Sequence, residues 1–284
     1  FKELIINIEY KKYSIFINME LDSLFLSGGG VNCIAFLGAF LYMFQNKILK
    51  PQLEGIKNIV CVSGSSIVML PFILGFSYEV TLKLFLETDY NKLIDYNHFD
   101  LNDLFLNYGL YNNNFIEVMC SSVLKNKNLS EKITLKELYK KTKINFVLKT
   151  SNLSDYSIVY LSYKTHPDLP VIDAIKMTTC IPLIFQPIKY KDELYVDGGL
   201  CGNYPLEYNR ILKSKKYLGI HVKCMDNKKE ITDIFSYLNR IHMAPLSPYD
   251  DIHSKRKNTL LIKVDEKGII FSRTDEQKKK IIKI

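Results

Sequence analysis

The pattern of apolar and polar positions predicts strands that are each followed by a helix. Residues 21–30 form a short apolar run ending in three glycines, and 34–49 has the length and apolar face of a helix. Residues 58–64 are β-branched and apolar, as in a strand buried on both faces, and 65–76 resembles a buried helix. The chain therefore opens with two strand–turn–helix units.

The rest of the pattern continues this alternation. Residues 78–142 have helical spacing with an Asn-rich break at 108–114, and strands are predicted at 145–153 and 156–163. A helix over 171–185 that stops before Pro182, a hairpin-like run at 189–200 and a strand at 215–223 follow. Residues 224–262 are expected to be irregular, and 271–284 are predicted to form a basic amphipathic helix. Strands alternating with helices predict an α/β fold with a mostly parallel, covered sheet.

The length of the chain and its lack of a linker predict one large domain. The 284 residues are ample for a sizeable core, and no internal repeat is visible. Met19 stands just before the first predicted strand. We therefore expect residues 1–18 to be upstream or accessory sequence and residues 19–284 to form a single domain.

Composition narrows the class of protein. With 47% hydrophobic and 24% charged residues the chain is typical of a folded protein. Abundant Asn, Lys, Ile and Tyr without Trp suggest A+T-rich coding, as in a large DNA virus or a parasite. The net charge of +8 fits either a Lys-rich soluble surface or attraction to an anionic membrane. Zinc-finger spacing and a basic, aromatic stripe are absent, so we expect no nucleic acid partner.

Cysteine usage and hydropathy favour a cytoplasmic protein. The six cysteines form no CxxC pair, and several lie in apolar stretches as buried thiols do. Residues 59–76 carry no charge and are long enough for a membrane span to be considered. Gly64 and Pro71 interrupt this segment, and its flanks favour a buried strand–helix unit instead.

A glycine loop, Gly28-Gly29-Gly30, stands between the first strand and its helix. Amides in such a loop converge on a small anion, as in phosphate sites and oxyanion holes. Cys33 occupies the place of the third glycine in a dinucleotide fingerprint, and no Gly-Lys-Ser/Thr follows. A tight structural turn is the alternative.

The second strand–helix turn contains the serines of a possible nucleophile elbow. Gly64-Ser65-Ser66 lies where a hydroxyl is held exposed at a sharp bend. On position alone Ser63, Ser65 and Ser66 are all candidates, and a helix N-cap is the alternative role.

A third motif, Val196-Asp197-Gly198-Gly199, follows an apolar strand. Asp-Gly is a common turn signal, so a plain turn is the alternative to a catalytic carboxylate.

Taken in order, the three motifs resemble the patatin-like phospholipase family. The matching blocks are the Gly-rich segment 26–40, the elbow 62–68, the Asp-Gly-Gly block 173–206 with its Asn-x-Pro exit, and a closing helix at 271–282. The resemblance covers roughly residues 20–284 and is weakest over 85–140 and 224–262.

The resemblance implies a three-layer α/β/α sandwich and a lipid acyl hydrolase. By this likeness Ser66 is the nucleophile, Asp197 is its base, and the loop Gly28 to Gly30 is the oxyanion hole. Gly64, Gly198 and Gly199 support the motifs. The family uses no histidine, metal or cofactor in the chemistry. Its substrates are phospholipids or other acyl lipids, which implies peripheral contact with a membrane surface.

The sequence departs from the family pattern near both loops. Val68 stands where the elbow has a small residue, Asn32 and Cys33 replace a basic residue and a glycine, and Pro71 follows the elbow closely. Three alternatives therefore stay open: a catalytically impaired scaffold that binds lipid or protein, a phosphate- or nucleotide-binding protein, and an acyltransferase.

Overall fold

A computed structural model describes residues 20–88, 101–224 and 258–264, together with isolated positions after 230. The strands are β1 Ser23–Leu26, β2 Asn58–Val62, β3 Gly109–Tyr111, β4 Asn145–Asn152, β5 Ser157–Leu161, β6 Leu183–Phe185, β7 Ile188–Tyr190, β8 Glu193–Asp197, β9 Tyr217–Cys224 and β10 Thr259–Val264. The helices are α1 Ala35–Gln45, α2 Ser65–Ile73, α3 Tyr78–Glu87, α4 Leu101–Asn107, α5 Asn114–Lys125, α6 Leu135–Thr142, α7 Val171–Thr179 and α8 Asn209–Leu212.

The large sheet is mixed, with parallel strands on one side and antiparallel strands on the other. Its order is β10-β9-β1-β2-β4-β8-β7, and β5 also pairs with β4. All pairs from β10 to β4 are parallel, whereas β5, β8 and β7 are antiparallel to their neighbours. With its flanking helices this sheet forms the three-layer α/β/α fold that the sequence predicted.

Strands β1 and β2 and the first half of β4 are mainly apolar because both of their faces are covered. In β1, Leu24 and Leu26 join the larger core, on which α1 and α2 pack, whereas Phe25 points to a smaller core with Tyr204 and Leu206 on the opposite face. Strands β2 and β4 divide their side chains in the same way. A strand buried on both faces reads as a continuous apolar run, which is the pattern seen in the sequence.

Two strands share one edge of β4 and meet end to end. Strand β2 pairs along residues 145–149 of β4, and β8 pairs along 150–152. Strand β5 pairs along 148–152 and overlaps both of them, so it must occupy the opposite edge. Because β2 runs parallel and β8 antiparallel to β4, the carboxyl ends of β2 and β8 face each other. Asp197 and the turn that contains Ser63 lie at this meeting point.

Most predicted elements are confirmed, including the strand and helix of residues 58–76, and two differ. The helix predicted over 171–185 ends at Thr179, and short strand β6 follows it. Strand β10 lies in the region that was expected to be irregular. The uncharged stretch 59–76 is strand β2 plus a nine-residue helix that continues through Pro71, and in the described part of the chain no helix has the length and hydropathy to cross a membrane.

Both ends of the chain lie largely outside the described residues. The accessory segment 1–18 is one of these regions, so the domain boundary at residue 19 stays a prediction. Of the closing helix predicted at 271–284, positions 278, 279 and 282 are described, and all three are helical.

Candidate active site

Ser63 sits at the bend between β2 and α2. Strand β2 ends at Val62, α2 begins at Ser65, and Ser63 between them has a φ of 56°. The left-handed region is unfavourable for a residue with a side chain and recurs at functional bends. The Ser63 amide donates to Thr178 Oγ1 at 3.0 Å, which holds the bend against the end of α7. The geometry is that of a nucleophile elbow.

Ser63 and Asp197 are in direct contact. The Ser63 hydroxyl donates to Asp197 Oδ2 at 2.6 Å, and both residues are buried. The sheet explains this contact, because Val62 lies opposite Lys149 on β4 and Asp197 lies opposite the next residue, Thr150. The two converging strands therefore bring a hydroxyl and a carboxylate together from positions far apart in sequence.

Burial makes Asp197 more basic than an exposed aspartate. Loss of solvent raises the pKa of this carboxyl from 3.8 to about 6, against the lowering effects of the hydrogen bonds from Ser63 and Gly199 and of the charge of Lys149. The Gly199 amide donates to Asp197 Oδ1 at 2.7 Å, and the Asp197 amide donates to the Cys180 carbonyl at 2.9 Å. The carboxylate is thus fixed in place and has a pKa near neutrality, as a general base requires.

The structure pairs Asp197 with Ser63 instead of Ser66, and this corrects the contact that the resemblance implied. The Ser66 hydroxyl is fully buried and donates to the Ser63 carbonyl at 2.6 Å. Because α2 begins at Ser65, Ser66 lies inside its first turn and its hydroxyl points back along the helix. Ser63, which position alone had left open, is the serine at the bend.

The shift of three residues also removes the crowding that Val68 implied. The residue two positions after Ser63 is Ser65, which is small and fully buried. Its hydroxyl lies 2.8 Å from the Val62 carbonyl and 3.3 Å from the Leu26 carbonyl, so it braces the ends of β2 and β1 together. Val68 is in the second turn of α2 and packs in the core.

The glycine loop lies beside Ser63, but its first amide is already used. The Gly28 amide donates to the Asn203 carbonyl at 2.9 Å, which corrects its assignment as an oxyanion donor. A Cβ at Gly28 would lie 3.1 Å from the Ser63 Cβ and would overlap the Asn203 side chain, so only glycine fits there. The amides of Gly29 and Gly30, in contrast, donate a hydrogen bond to none of the residues that the structure describes.

Gly64 and Gly198 lie where another backbone segment comes too close for a side chain. A Cβ at Gly64 would lie 2.5 Å from the Gly30 carbonyl oxygen, so Gly64 lets the elbow touch the glycine loop. A Cβ at Gly198 would overlap the backbone carbonyl of Lys149. Gly64 and Gly198 therefore pack against backbone atoms, whereas the Gly199 amide binds the Asp197 carboxylate.

Three residues that were not predicted as site residues also contact the candidate site. Thr178 binds the Ser63 amide, Asn203 binds Gly28, and Lys149 lies fully buried behind Asp197. Asn203 belongs to the noted Asn-x-Pro exit, and Lys149 is the single charge in an otherwise polar or apolar strand. Such a charge inside a buried strand is the one signal that could have marked Lys149.

Among the residues that the structure describes, no histidine bonds to Ser63 or to Asp197. The described groups bonded to the Asp197 carboxylate are the Ser63 hydroxyl and the Gly199 amide. In the described part of the chain, His, Cys, Asp and Glu form no group that could hold a metal ion. Among the cysteine side chains that the structure describes, none forms a disulfide bond.

Comparison with known proteins points to one family. Residues 24–209 match the family model of patatin-like phospholipase. The chain is 28% identical over 222 residues to a "Probable lipid hydrolase 463L" of Invertebrate iridescent virus 6, which covers 78% of this chain and 73% of that protein. It is 29% identical over 187 residues to "Uncharacterized protein R571" of Acanthamoeba polyphaga mimivirus, covering 66% and 61% respectively.

Among solved structures the chain is similar to VipD from Legionella pneumophila. The TM-score is 0.60 at 14% sequence identity, and the match covers 93% of this chain and 67% of VipD. This likeness shows a shared fold. The two viral relatives agree with the coding bias towards A+T that suggested a large DNA virus.

Proposed function

Because the chain belongs to the patatin-like phospholipase family, we propose that it hydrolyses acyl esters of lipids with Ser63 as nucleophile and Asp197 as base. The observation that carries the proposal is the 2.6 Å hydrogen bond from Ser63 Oγ to Asp197 Oδ2 at a strained strand–helix bend. The name of the iridescent virus relative, a probable lipid hydrolase, supports the same reaction class.

In the first step the Ser63 hydroxyl attacks the carbonyl carbon of the ester. Asp197 Oδ2 accepts the hydroxyl proton directly, and the raised pKa of the carboxyl makes this transfer easier than it would be for an exposed aspartate. Collapse of the tetrahedral intermediate releases the alcohol, which takes the proton from Asp197. An acyl-enzyme on Ser63 remains.

In the second step water attacks the acyl-enzyme while Asp197 accepts its proton, and the fatty acid leaves as Ser63 recovers a proton. The amides of Gly29 and Gly30 are the proposed donors to the oxyanion in both steps. Each such donor contributes about 3–4 kcal/mol of transition-state stabilisation in comparable sites. The positive end of α2, whose first turn contains no acidic residue, adds to this field.

An apolar groove beside the elbow helix supports an acyl substrate. A cavity of about 410 Å³ lies between α2, α3 and α5. Its apolar lining is Ile67, Leu70, Leu84, Phe85, Val118, Met119 and Val123. Ile67 lies in the first turn of α2, directly after the bend that contains Ser63, so the groove begins close in sequence to the proposed nucleophile.

An exposed apolar patch near the site supports contact with a membrane surface. Phe105 and Leu106 of α4 are 76% and 75% exposed, and Tyr108 is 62% exposed. Strand β3 joins them to β6, where Leu183 is 44% exposed. Leu183 follows Cys180, the residue that binds the Asp197 amide, by three positions. Exposed apolar clusters of this kind mark interaction surfaces, and a lipid surface would meet this one beside the dyad.

The test is hydrolysis of a fluorogenic fatty-acid ester and of phospholipid vesicles by matched variants. We expect Ser63→Ala to lose about 10³-fold or more of kcat, as removal of a nucleophile does. We expect Ser66→Ala to keep kcat within about threefold, because its hydroxyl makes only a backbone hydrogen bond, and to lose about 1 kcal/mol of stability. Full activity in Ser63→Ala, or loss restricted to Ser66→Ala, would overturn the assignment.

A further inference from the structure

Lys149 carries a charge in the interior of the central sheet. It lies in the middle of β4, and its side chain is fully buried. An ammonium group removed from water strongly destabilises the folded state unless charged and polar partners surround it. The proposed chemistry does not use this charge, so its position requires another explanation.

The Lys149 ammonium group has three close acceptors that match its three donors. Lys149 Nζ donates to the Cys201 carbonyl at 3.0 Å, to the Gly202 carbonyl at 2.7 Å and to Glu207 Oε1 at 2.7 Å. The Tyr160 hydroxyl donates to the same Glu207 oxygen. Two of the three acceptors are backbone atoms, so the ammonium group ties β4 to a chain segment as well as to a carboxylate.

That segment begins at the proposed base and ends at the glycine loop. A single 3-10 turn, Gly198–Cys201, follows Asp197, and its Gly199 amide binds Asp197 Oδ1. Two residues after Cys201, the Asn203 carbonyl accepts from the Gly28 amide. The carbonyls held by Lys149 lie between these two contacts. One ammonium group therefore fixes the stretch that spaces the carboxylate from the oxyanion loop.

The backbone of Lys149 meets the nucleophile side of the same site. Its carbonyl accepts from the Thr178 hydroxyl, and Thr178 Oγ1 in turn accepts from the Ser63 amide. The same carbonyl packs against Gly198, where no side chain fits. Residue 149 thus contacts Thr178, which binds the Ser63 amide, and the segment 198–202, which connects Asp197 to the residue that binds the glycine loop.

We propose that Lys149 is a positioning residue of the hydrolase: its buried ammonium group holds the segment 198–203 and so sets the spacing of Asp197, Ser63 and the glycine amides. This inference rests on the proposed function. A neutral side chain at 149 would leave two carbonyls without their donor and the segment free to shift. A displacement of about 1 Å at a catalytic site costs up to about 100-fold in rate.

The charge of Lys149 also acts on the base. It is one of the influences that lower the pKa of Asp197 against the effect of burial. Removing it is expected to raise the pKa of Asp197 further, so that more of the base is protonated near neutral pH. A purely structural side chain would change the rate at every pH without moving the midpoint of the pH profile.

The test compares Lys149→Met/Glu207→Gln with Glu207→Gln alone. The double variant removes both charges, because Lys149→Met alone would leave the Glu207 carboxylate buried without its cation. We expect it to lose about 10- to 100-fold of kcat on a soluble short-chain ester, with KM nearly unchanged and the midpoint of the pH–kcat profile at higher pH. Glu207→Gln removes the counter-ion of Lys149 and should therefore lower stability, but its amide oxygen can still accept from the ammonium group and both carbonyl contacts remain, so kcat should stay within about threefold.

A second readout does not depend on turnover. Hydrogen exchange of peptides covering residues 198–206 should be at least tenfold faster in the double variant than in Glu207→Gln, because the segment has lost its anchor. If the double variant does not fold, Lys149→Gln/Glu207→Gln takes its place, since glutamine at 149 is neutral and too short to reach both carbonyls.

Three outcomes are distinguishable. Wild-type kcat, pH midpoint and exchange in the double variant would overturn the positioning role. Slower catalysis with an unmoved midpoint and unchanged exchange would overturn it as well. Failure of the wild-type protein to hydrolyse any ester would remove the proposed function, whereas the exchange measurement would still decide whether Lys149 anchors the segment.

Discussion

Replacement of Asp197 by asparagine should make the protein more stable at alkaline pH while it abolishes hydrolysis. The folded protein holds the Asp197 proton more tightly than the unfolded chain does, since burial raises the pKa of this carboxyl from 3.8 to about 6. Its protonated form therefore stabilises the fold, and that stability is lost as the pH rises from about 4 to above 6. Asparagine is neutral at every pH and avoids the loss.

The size of the effect follows from the two pKa values. A pKa that is 3.8 in the unfolded chain and about 6 in the folded protein lowers the free energy of unfolding by about 3 kcal/mol at pH 8, relative to acidic pH, at 1.36 kcal/mol per pH unit. At pH 5 the wild-type carboxyl is still mostly protonated in the folded state, and by the same relation the stability lost is about 1.6 kcal/mol. Asparagine at 197 can still accept from the Gly199 amide and donate to the Ser63 oxygen, so the geometry survives the change.

The assay is urea unfolding of wild type and Asp197→Asn at pH 5 and pH 8. The stability advantage of the variant should be about 1.4 kcal/mol larger at pH 8 than at pH 5. Other titrating groups are common to both proteins and cancel in this comparison. Equal advantages at the two pH values, or an advantage that is larger at pH 5, would show that Asp197 is not destabilised by burial and would refute the reasoning.

Three further changes test other parts of the structure. Gly198→Ala should lower the free energy of unfolding by about 1–3 kcal/mol in urea titration, because its Cβ would overlap the Lys149 carbonyl; an unchanged midpoint would contradict that packing. Ile67→Trp should fill the apolar groove and reduce turnover of long-chain esters while short-chain esters react normally, and equal losses for both would argue against an acyl site. Phe105→Ser should weaken sedimentation with anionic vesicles, whereas Tyr156→Ser, at a 91% exposed turn, should not; equal binding would exclude the patch.

The fold was predictable because its strands and helices carry strong local patterns. Apolar runs such as 58–64 and the glycine turns after β1 and β8 mark the layers directly. Strand β10 was missed because it pairs with β9, a neighbour in space that local periodicity does not reveal. Strands β5 and β8 were predicted as elements, but their antiparallel pairing with β4 was not, because periodicity does not identify the partner of a strand.

The site was predictable in its parts but not in its contacts. The glycine loop, the serine-rich turn and Asp197 were all located by sequence, but the choice among three serines depends on which one occupies the bend. That is decided where α2 begins, and helix boundaries are poorly specified by sequence when Ser63, Ser65 and Ser66 are all suitable caps or turn residues. The contacts of Lys149 could not be predicted for a related reason, since two of its three acceptors are backbone carbonyls more than 50 positions away.

The most direct test of the central claim is to identify the side chain that becomes covalently modified. A fluorophosphonate ester traps an activated serine, and fragmentation of the modified peptide in the mass spectrometer separates Ser63 from Ser65 and Ser66. The account predicts a single adduct on Ser63, formed much more slowly when Asp197 is asparagine. An adduct on Ser66, or labelling at the same rate in wild type and in Asp197→Asn, would contradict this prediction.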